Sequence, residues 1–225
     1  MSKYWEKYWK SIDSTKNQES IGRTKFGKVI KDKDFQSEID FIAERLELKT
    51  NDVLVDLCAG NGLVTNKLLE YVSRVVAIDY SKPLLDNFVN RSLNITKICQ
   101  NVKEFDFSEL RYSKLVWYFS IQHFSYSEVT IILKRMLKGL SSGGKIYIGD
   151  IPDYDKIWEF YSKPEYKAFY FEKLLRSEEH IGTWFERDFF VHLLDFLGYN
   201  SKFEIINKPE NHFNSSSRFD LLITK

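Results

Sequence analysis

Short apolar segments alternate with amphipathic, helix-like segments between residues 35 and 150, and this alternation restricts the fold more than any other feature. The strand candidates are "DVLVDL", "RVVAID", "ITKIC", "KLVWYFS" and "KIYIGDI". Segments with helical periodicity or helix start signals precede and separate them, among them "FQSEIDFIAERLEL" and "SEVTIILKRMLKGL". Because parallel strands need a long crossover between them, this pattern predicts an α/β fold with a parallel sheet covered by helices on both faces.

The pattern changes after residue 150. Residues 151–180 are aromatic, charged and partly helical, with a break at Pro164, and "WFERDFFVHLLDFLGY" predicts a helix that ends at Gly198. Two further strands, in "YNSKFEIINK" and "SSRFDLLITK", are joined by the short loop "PENHFN". A loop of that length joins antiparallel strands. The sequence therefore predicts a seven-stranded, mostly parallel sheet whose last strand is antiparallel.

The segment "VLVDLCAGNGLVT" predicts a ligand-binding turn between the first strand and its helix. Asp56 ends the strand, and Gly60 and Gly62 follow it. Glycine allows a ligand to approach the main chain closely, at the sheet edge where α/β folds bind ligands. A dinucleotide-binding turn would have a third small residue where Thr65 stands, and a P-loop would continue with Gly-Lys-Ser/Thr. The turn alone does not identify the ligand.

Asp79 narrows the choice of ligand. It ends the next strand, in "RVVAIDYS", where a carboxylate can accept hydrogen bonds from a ribose diol. Asp56 would repel a pyrophosphate but attract an ammonium group. The pair of acids therefore predicts a ligand that carries both a ribose and a positive charge.

Five segments, "DLCAGNG", "AIDYS", "CQNVKEFDF", "KLVWYFSIQHF" and "LKGLSSGGKIYIGDI", resemble in order and spacing the motif series of class I S-adenosylmethionine-dependent methyltransferases. The resemblance covers roughly residues 35–150. It implies a Rossmann-like three-layer α/β sandwich and S-adenosylmethionine as the cofactor.

The resemblance also implies which residues contact the cofactor. In that family the glycine turn holds the methionine part, the acid of the second strand binds the ribose, the next residues lie at the adenine, and the fourth strand ends near the sulfonium. The corresponding residues are Asp56, Cys58, Ala59, Gly60, Gly62, Asp79, Tyr80, Asn101, Val102, Tyr118, Phe119 and Ser120. Two of them depart from the family pattern, since Asn101 replaces the usual aspartate and Cys58 the usual glycine.

His123 and Asp150 are the candidate catalytic residues, because they follow the fourth and fifth strands and a hydroxyl acceptor benefits from a general base. The alternatives are a packed histidine at a helix start and a helix N-cap. His180 and His212 are weaker candidates for the base. The acceptor pocket or the core could contain Tyr154, Trp158, Tyr161 and Arg218. The spacing of His and Cys predicts no metal site.

The first residues form a separate unit. Tyr4, Trp5, Tyr8 and Trp9 recur at helical spacing, which fits either a lid over a pocket or a helix packed on the domain. We predict a helical cap over residues 1–34 and a methyltransferase domain over residues 35–225, with a helical insertion around 151–180. "YWEKYW" and "IGRTKFGKVI" weakly resemble a bacterial subgroup encoded with polysaccharide genes, which favours a sugar-like acceptor.

Composition bears on partners and location. The formal net charge is +1, from 33 basic and 32 acidic residues, which gives no footprint for nucleic acid or a charged membrane surface. Cys58 and Cys99 are far apart, and no signal-like apolar stretch begins the sequence, so we expect a reducing, cytoplasmic location. The expected partner is a small-molecule acceptor, with no nucleic acid or membrane, and the expected state is a monomer or homodimer.

The predicted function is methyl transfer to an oxygen or nitrogen of a small polar metabolite, with a sugar or sugar nucleotide favoured. Three alternatives remain. A nicotinamide-dependent oxidoreductase is disfavoured by Asp56 and by the absence of a third small residue in the turn. A nucleic-acid methyltransferase is disfavoured by the charge and by "YFSI", which stands where amino methylation of bases would call for an Asn-Pro-Pro-Tyr type of tetrapeptide. The third is a non-catalytic S-adenosylmethionine-binding protein.

Overall fold

A computed structural model describes residues 7, 9, 24–25, 28–88, 94–178 and 180–225. Of the predicted aromatic face near the start of the chain, only Trp9 lies within these residues. Strands β1 (Thr24–Lys25) and β2 (Lys28–Val29) form a small antiparallel ladder. The division into a cap of residues 1–34 and a domain of residues 35–225 stays a prediction.

Seven strands form the main sheet, in the order β5-β4-β3-β6-β7-β9-β8. They are β3 (Val53–Leu57), β4 (Arg74–Asp79), β5 (Ile95–Cys99), β6 (Tyr112–Tyr118), β7 (Leu140–Pro152), β8 (Phe203–Asn207) and β9 (Arg218–Thr224). Strands β3 to β7 pair in parallel, whereas β9 is antiparallel to both β7 and β8. This confirms the predicted mostly parallel sheet with an antiparallel last strand.

Seven helices connect the strands of the described chain. They are α1 (Asp32–Leu46), α2 (Leu63–Leu68), α3 (Lys82–Asp86), α4 (Tyr126–Gly139), α5 (Ile157–Phe160), α6 (Pro164–Leu175) and α7 (Arg187–Phe196). Helix α4 begins with a capping box, in which the Ser125 hydroxyl and the Glu128 carboxylate each bind the other residue's N–H. None of these helices is long and apolar enough to cross a membrane.

Helices cover both faces of the sheet, because alternate residues of each strand point to opposite sides. Leu115 and Trp117 of β6 pack into a cluster with α4 and α7, while Val116 and Tyr118 pack into another with α1 and α2. The apolar stripe that predicted α1 is fully buried. The result is the three-layer α/β sandwich that the sequence predicts.

Strand β7 differs from its prediction. The glycines and serines of "SSGG", between the helix candidate and "KIYIGDI", are typical of a loop. However, β7 begins at Leu140, directly after the helix. The pairing with β6 shifts register between Tyr112 and Lys114, and Gly143 adopts a φ of +71°. The glycines therefore form an irregular strand end and not a loop.

Candidate active site

A cavity opens at the carboxyl ends of β3, β4 and β6. The sheet order reverses between β4 and β6, on either side of β3, which is where open α/β sheets bind ligands. Most of the residues predicted to contact a cofactor line it, together with one candidate catalytic residue. These are Asp56, Cys58, Ala59, Gly60, Asp79, Tyr80, Tyr118, Phe119, Ser120 and His123.

Asp79 is a buried carboxylate held in one orientation. Its Oδ2 accepts a hydrogen bond from the Gly60 N–H at 2.9 Å, and its Oδ1 accepts one from the Ser81 N–H at 2.8 Å. Burial raises its pKa to about 6, although the backbone donors oppose the shift. Each carboxylate oxygen retains a second lone pair for a ligand hydroxyl.

Asp56 is the second buried acid of the cavity, and its side chain accepts a hydrogen bond from the Thr65 hydroxyl. Burial, the main cause, and the charge of Asp79 together raise its pKa to about 7, although the hydrogen bond from Thr65 opposes the shift. Thr65 stands where a dinucleotide-binding turn would have a third small residue, and here it partners Asp56. Two neighbouring carboxylates in a dry pocket favour a cationic ligand.

Cys58 adopts a left-handed backbone conformation, with φ of +58°. Glycine, the usual residue of the resembled family, accepts this conformation at lower cost. Burial raises the pKa of the Cys58 thiol well above its ordinary value, and the charge of Asp79 raises it further. The thiol therefore stays protonated and forms a small wall of the cavity.

The two glycines of the turn have different surroundings. Gly60 has φ of +56° and open space where a Cβ would stand, the nearest atom being Leu84 Cδ1 at 4.0 Å. A Cβ on Gly62, which has φ of +80°, would lie 2.3 Å from the ring of Phe88. Gly62 is not among the cavity-lining residues, so its glycine serves the packing of α2 onto the segment after α3.

Tyr118 and Phe119 end β6 at the cavity. The Tyr118 hydroxyl donates to Glu38 Oε2 of α1 at 2.6 Å, and the Lys208 ammonium lies 5.6 Å from the Tyr118 ring centroid. Phe119 has φ of +60°, and its N–H donates to the Gly149 carbonyl at 3.1 Å. The chain therefore turns sharply here, with Phe119 in the cavity wall.

His123 lies in the cavity wall at the end of a short 3-10 turn, Ile121–His123. Its ring meets the Trp9 ring edge-on, with centroids 5.6 Å apart. Burial, the main cause, and the positive charge of Arg218 together lower the pKa of His123 to about 3. The imidazole is therefore neutral near pH 7 and a weak base.

Asp150, the other candidate catalytic residue, is not among the cavity-lining residues. It is buried, with φ of +61°, and its carboxylate pairs with the Lys208 ammonium. Its N–H donates to Asp220 Oδ1 at 2.7 Å, and its carbonyl accepts from Arg218 Nη1 at 2.9 Å. Asp150 thus belongs to a buried cluster of charges behind the end of β6.

Four other predicted residues also lie outside the cavity wall. Asn101 Oδ1 accepts a hydrogen bond from the Lys103 N–H at 3.1 Å, and Val102 is packed in the core. The two weaker base candidates are also engaged elsewhere. His180 Nδ1 lies 2.8 Å from the Tyr161 hydroxyl, and His212 Nε2 lies 3.4 Å from that of Ser37.

Sequence reasoning did not assign several lining residues to the cavity. They are Trp9, Leu63, Val64, Leu84 and Phe124. All are apolar or aromatic, and four of them lie in segments whose pattern gives no reason to separate them from the core. The sequence placed Trp9 in either a lid or a helix packed on the domain, and its carbonyl accepts a hydrogen bond from the Ser81 hydroxyl at 2.9 Å. Within the described chain, no cluster of three or more His, Cys, Asp or Glu side chains could hold a metal ion.

Residues 54–144 match a family model described as a methyltransferase domain. A putative O-methyltransferase from Nostoc punctiforme superposes with a TM-score of 0.62 at 15% identity, over 85% of this chain and 57% of that one. The cyclopropane synthase MmaA2 from Mycobacterium tuberculosis gives 0.59 at 14% identity, over 75% and 62%. The plantazolicin methyltransferase BpumL, solved with SAH, gives 0.61 at 15% identity, over 86% and 84%.

At 14–15% identity, these structural matches show a shared fold. The match covers less than two thirds of the Nostoc and Mycobacterium chains. No curated protein matches the sequence. The resemblance to a polysaccharide-associated subgroup stays a prediction.

Proposed function

We propose that this chain, a class I S-adenosylmethionine-dependent methyltransferase, transfers a methyl group to an oxygen or nitrogen of a small polar metabolite. Sugars and sugar nucleotides are the first candidates for the acceptor. The observation that carries the proposal is the pair of buried carboxylates, Asp56 and Asp79, beside the glycine turn in one cavity.

The cofactor supplies an electrophilic methyl group on a positively charged sulfur. Asp79, already oriented by the Gly60 and Ser81 amides, would accept hydrogen bonds from the ribose hydroxyls. Asp56 would face the positive charge of the methionine part, and Tyr80 would lie beside the adenine. Asn101 would reach the adenine only by exchanging its bond to the Lys103 N–H, and Val102, which is buried in the core, would support that segment from below the surface.

The proposed chemistry is an in-line displacement, in which the protein chiefly aligns acceptor and methyl group. His123 would contact the acceptor as a neutral imidazole. Because its pKa is lowered to about 3, it removes protons poorly. Within the proposed class, an acceptor that carries a neutral amine or an ionised oxygen is therefore favoured over one that offers only an ordinary sugar hydroxyl. Asp150 would act on the site only through Arg218, as a positioning residue.

Trp9 supports the proposal that residues 1–34 form a cap. It lines the cavity, touches His123 and accepts a hydrogen bond from Ser81, the neighbour of Tyr80. The cap would therefore close over the cofactor site and exclude water from it.

Isothermal titration calorimetry with S-adenosylmethionine, S-adenosylhomocysteine and NAD⁺ tests the cofactor. We expect the first two to bind and NAD⁺ to give no signal, and an absence of binding by all three contradicts the proposal. Transfer of labelled methyl groups to sugars, sugar nucleotides, phenols and amines then tests the reaction.

A second candidate function is that of a non-catalytic S-adenosylmethionine-binding protein. The low pKa of His123 and the burial of Asp150 favour it, since neither candidate base is ready to accept a proton. Methyl transfer to no acceptor of the panel, with normal cofactor binding, would support this candidate.

The remaining proposals concern location and assembly: a cytoplasmic monomer or homodimer that acts without nucleic acid or membrane. The near balance of 33 basic and 32 acidic residues supports them. Sedimentation velocity and cell fractionation test them directly.

A further inference from the structure

Arg218, the first residue of β9, is a buried arginine with incomplete hydrogen bonding. Only 3% of it is exposed. Nη1 donates to the Asp150 carbonyl at 2.9 Å, whereas Nε is buried and has no acceptor among the described residues. A buried charged donor without an acceptor is costly, and a ligand oxygen would remove that cost.

The charge of Arg218 is only partly offset. The nearest carboxylate oxygen, Asp150 Oδ2, lies 3.9 Å from Nη1, at the limit of an ion pair. The other oxygen of the same carboxylate is bonded to Lys208. Lys208 also lies 4.0 Å from Glu38 Oε1, whereas Asp150 is the one carboxylate within ion-pair distance of Arg218 among the described residues. Arg218 therefore has a single, distant ion-pair partner.

The neighbours of Arg218 include a wall of the cavity. The guanidinium carbon lies 5.8 Å from the ring centroid of Phe119 and 5.9 Å from that of Trp184. Phe119 lines the cavity, and His123 lies close enough for the charge of Arg218 to lower its pKa. Aromatic rings restrict a guanidinium to one orientation, which favours a defined ligand geometry.

Gln122 provides a second incomplete polar group beside Phe119. Neither Gln122 nor Arg218 is itself among the residues that line the cavity; both adjoin it through Phe119. It is 5% exposed, its Nε2 donates to the Phe119 carbonyl at 3.1 Å, and its Oε1 is buried with no donor in the described part of the chain. Its backbone carbonyl accepts from the Thr183 N–H at 2.8 Å, next to Trp184. A donor from Arg218 and an acceptor from Gln122 therefore both adjoin Phe119.

We propose that Arg218 and Gln122 form an acceptor-binding subsite beside Phe119 that takes an anionic oxygen group of the methyl acceptor, a carboxylate or a phosphate. Nε of Arg218 donates to that group, and Oε1 of Gln122 accepts from a neighbouring hydroxyl or amine of the same molecule. The inference rests on the proposed function, because the acceptor must reach the cavity that holds the cofactor. Among sugars, it selects uronic acids or sugar phosphates over neutral sugars.

Calorimetry on the protein loaded with S-adenosylhomocysteine tests the subsite with three probes: glucuronate, glucose 1-phosphate and glucose. We expect at least one anionic probe to bind more tightly than glucose by about tenfold to a hundredfold, the range of a hydrogen bond to a charged group. Glucuronate alone indicates a carboxylate site, and glucose 1-phosphate alone a phosphate site. Equal binding of all three probes, or binding of none, overturns the inference.

Variants test the residues. Arg218→Gln should abolish the advantage of the anionic probe, and Gln122→Glu should reduce it by repulsion while glucose is unaffected. Arg187→Gln is the matched control, because Arg187 also binds a carboxylate, that of Asp153, and also covers an aromatic ring. An anionic advantage that survives in both test variants overturns the inference.

The affinity for S-adenosylhomocysteine, measured first for every variant, distinguishes a failure of the proposed function from a failure of the subsite. If the wild-type protein does not bind S-adenosylhomocysteine, the proposed function is wrong. If S-adenosylhomocysteine binds but anionic probes bind no better than glucose, only the proposed subsite is wrong. If Arg218→Gln fails to fold, Gln122→Glu and the wild-type probe series still decide.

Discussion

The backbone N–H of Gly60 donates a 2.9 Å hydrogen bond to the carboxylate of Asp79, which joins the glycine turn after β3 to the end of β4. The two motifs that predicted the cofactor are therefore one structural unit. A ligand bound between them would meet a carboxylate whose orientation is already set, so less conformational entropy is lost on binding.

Asp79→Asn should weaken S-adenosylhomocysteine binding by about tenfold to a hundredfold, because the amide cannot accept at both positions while the Gly60 and Ser81 N–H groups still point at it. Calorimetry measures the effect. Asp86→Asn is the control, since Asp86 is exposed on α3 and pairs only with Lys82 in the described chain. Equal affinities of the two variants would refute the ribose assignment.

Asp56 should make cofactor binding depend on pH. Its pKa is raised to about 7, so the folded protein binds this proton more tightly than the unfolded chain does. Its contribution to stability is therefore present at low pH and lost as the pH rises through about 7. The affinity for the cationic cofactor should change in the opposite direction and increase between pH 6 and 8.

Asp56→Asn removes this ionisation. It should raise the thermal midpoint of the cofactor-free protein at pH 8, weaken cofactor binding there, and flatten both pH profiles relative to wild type. Thermal unfolding and calorimetry at pH 6 and 8 provide the test. Parallel profiles for variant and wild type would show that another group titrates.

Cys58 tests the backbone at the end of β3. Cys58→Gly should leave the free energy of unfolding within about 1 kcal/mol of wild type, because relief of the left-handed strain offsets the greater freedom of the unfolded chain. Cys58→Val should lower it by about 1–2 kcal/mol or more, since a branched side chain fits this conformation poorly. Urea unfolding measures both variants. A stable Cys58→Val protein would contradict the strained backbone.

The two glycines should separate stability from binding. Gly62→Ala should destabilise the protein by about 2 kcal/mol or more, because the new Cβ meets the Phe88 ring in a strained backbone. Gly60→Ala, with open space, should chiefly weaken cofactor binding. Phe88→Leu should recover part of the stability of Gly62→Ala in a double-mutant cycle. If the effects of Gly62→Ala and Phe88→Leu on stability are additive, the predicted clash between a Cβ at Gly62 and the Phe88 ring is wrong.

The sheet and the cofactor edge could be predicted because each rests on a local pattern. Five apolar segments with helical connections specify parallel strands, and Asp56 and Asp79 follow from their places at strand ends.

The rest depends on contacts between distant segments. Asp150 was a candidate base because the sequence places it at the end of the fifth predicted strand. It lies within β7, and Lys208 and Arg218, which bind it, come from the loop before β9 and from the first residue of β9. In the sequence, Thr65 shows only that the third small residue of a dinucleotide-binding turn is absent. In the structure, its hydroxyl donates a hydrogen bond to Asp56. No sequence pattern predicts the contacts of Asp150 with Lys208 and Arg218, or that of Thr65 with Asp56, so they become visible only in the folded chain.

Trp9 should control how long the cofactor stays bound. It lines the cavity, meets His123 edge-on and is held by the Ser81 hydroxyl. Trp9→Ala removes that wall and should increase the dissociation rate of S-adenosylhomocysteine by about tenfold, equivalent to one aromatic contact and its buried area. Trp9→Phe, which keeps an aromatic ring, should dissociate nearly as slowly as wild type. Trp158→Ala, at an exposed tryptophan outside the cavity wall, should leave the dissociation rate unchanged. Stopped-flow displacement measures all three, and equal rates for Trp9→Ala and Trp158→Ala would show that the cap does not hold the cofactor.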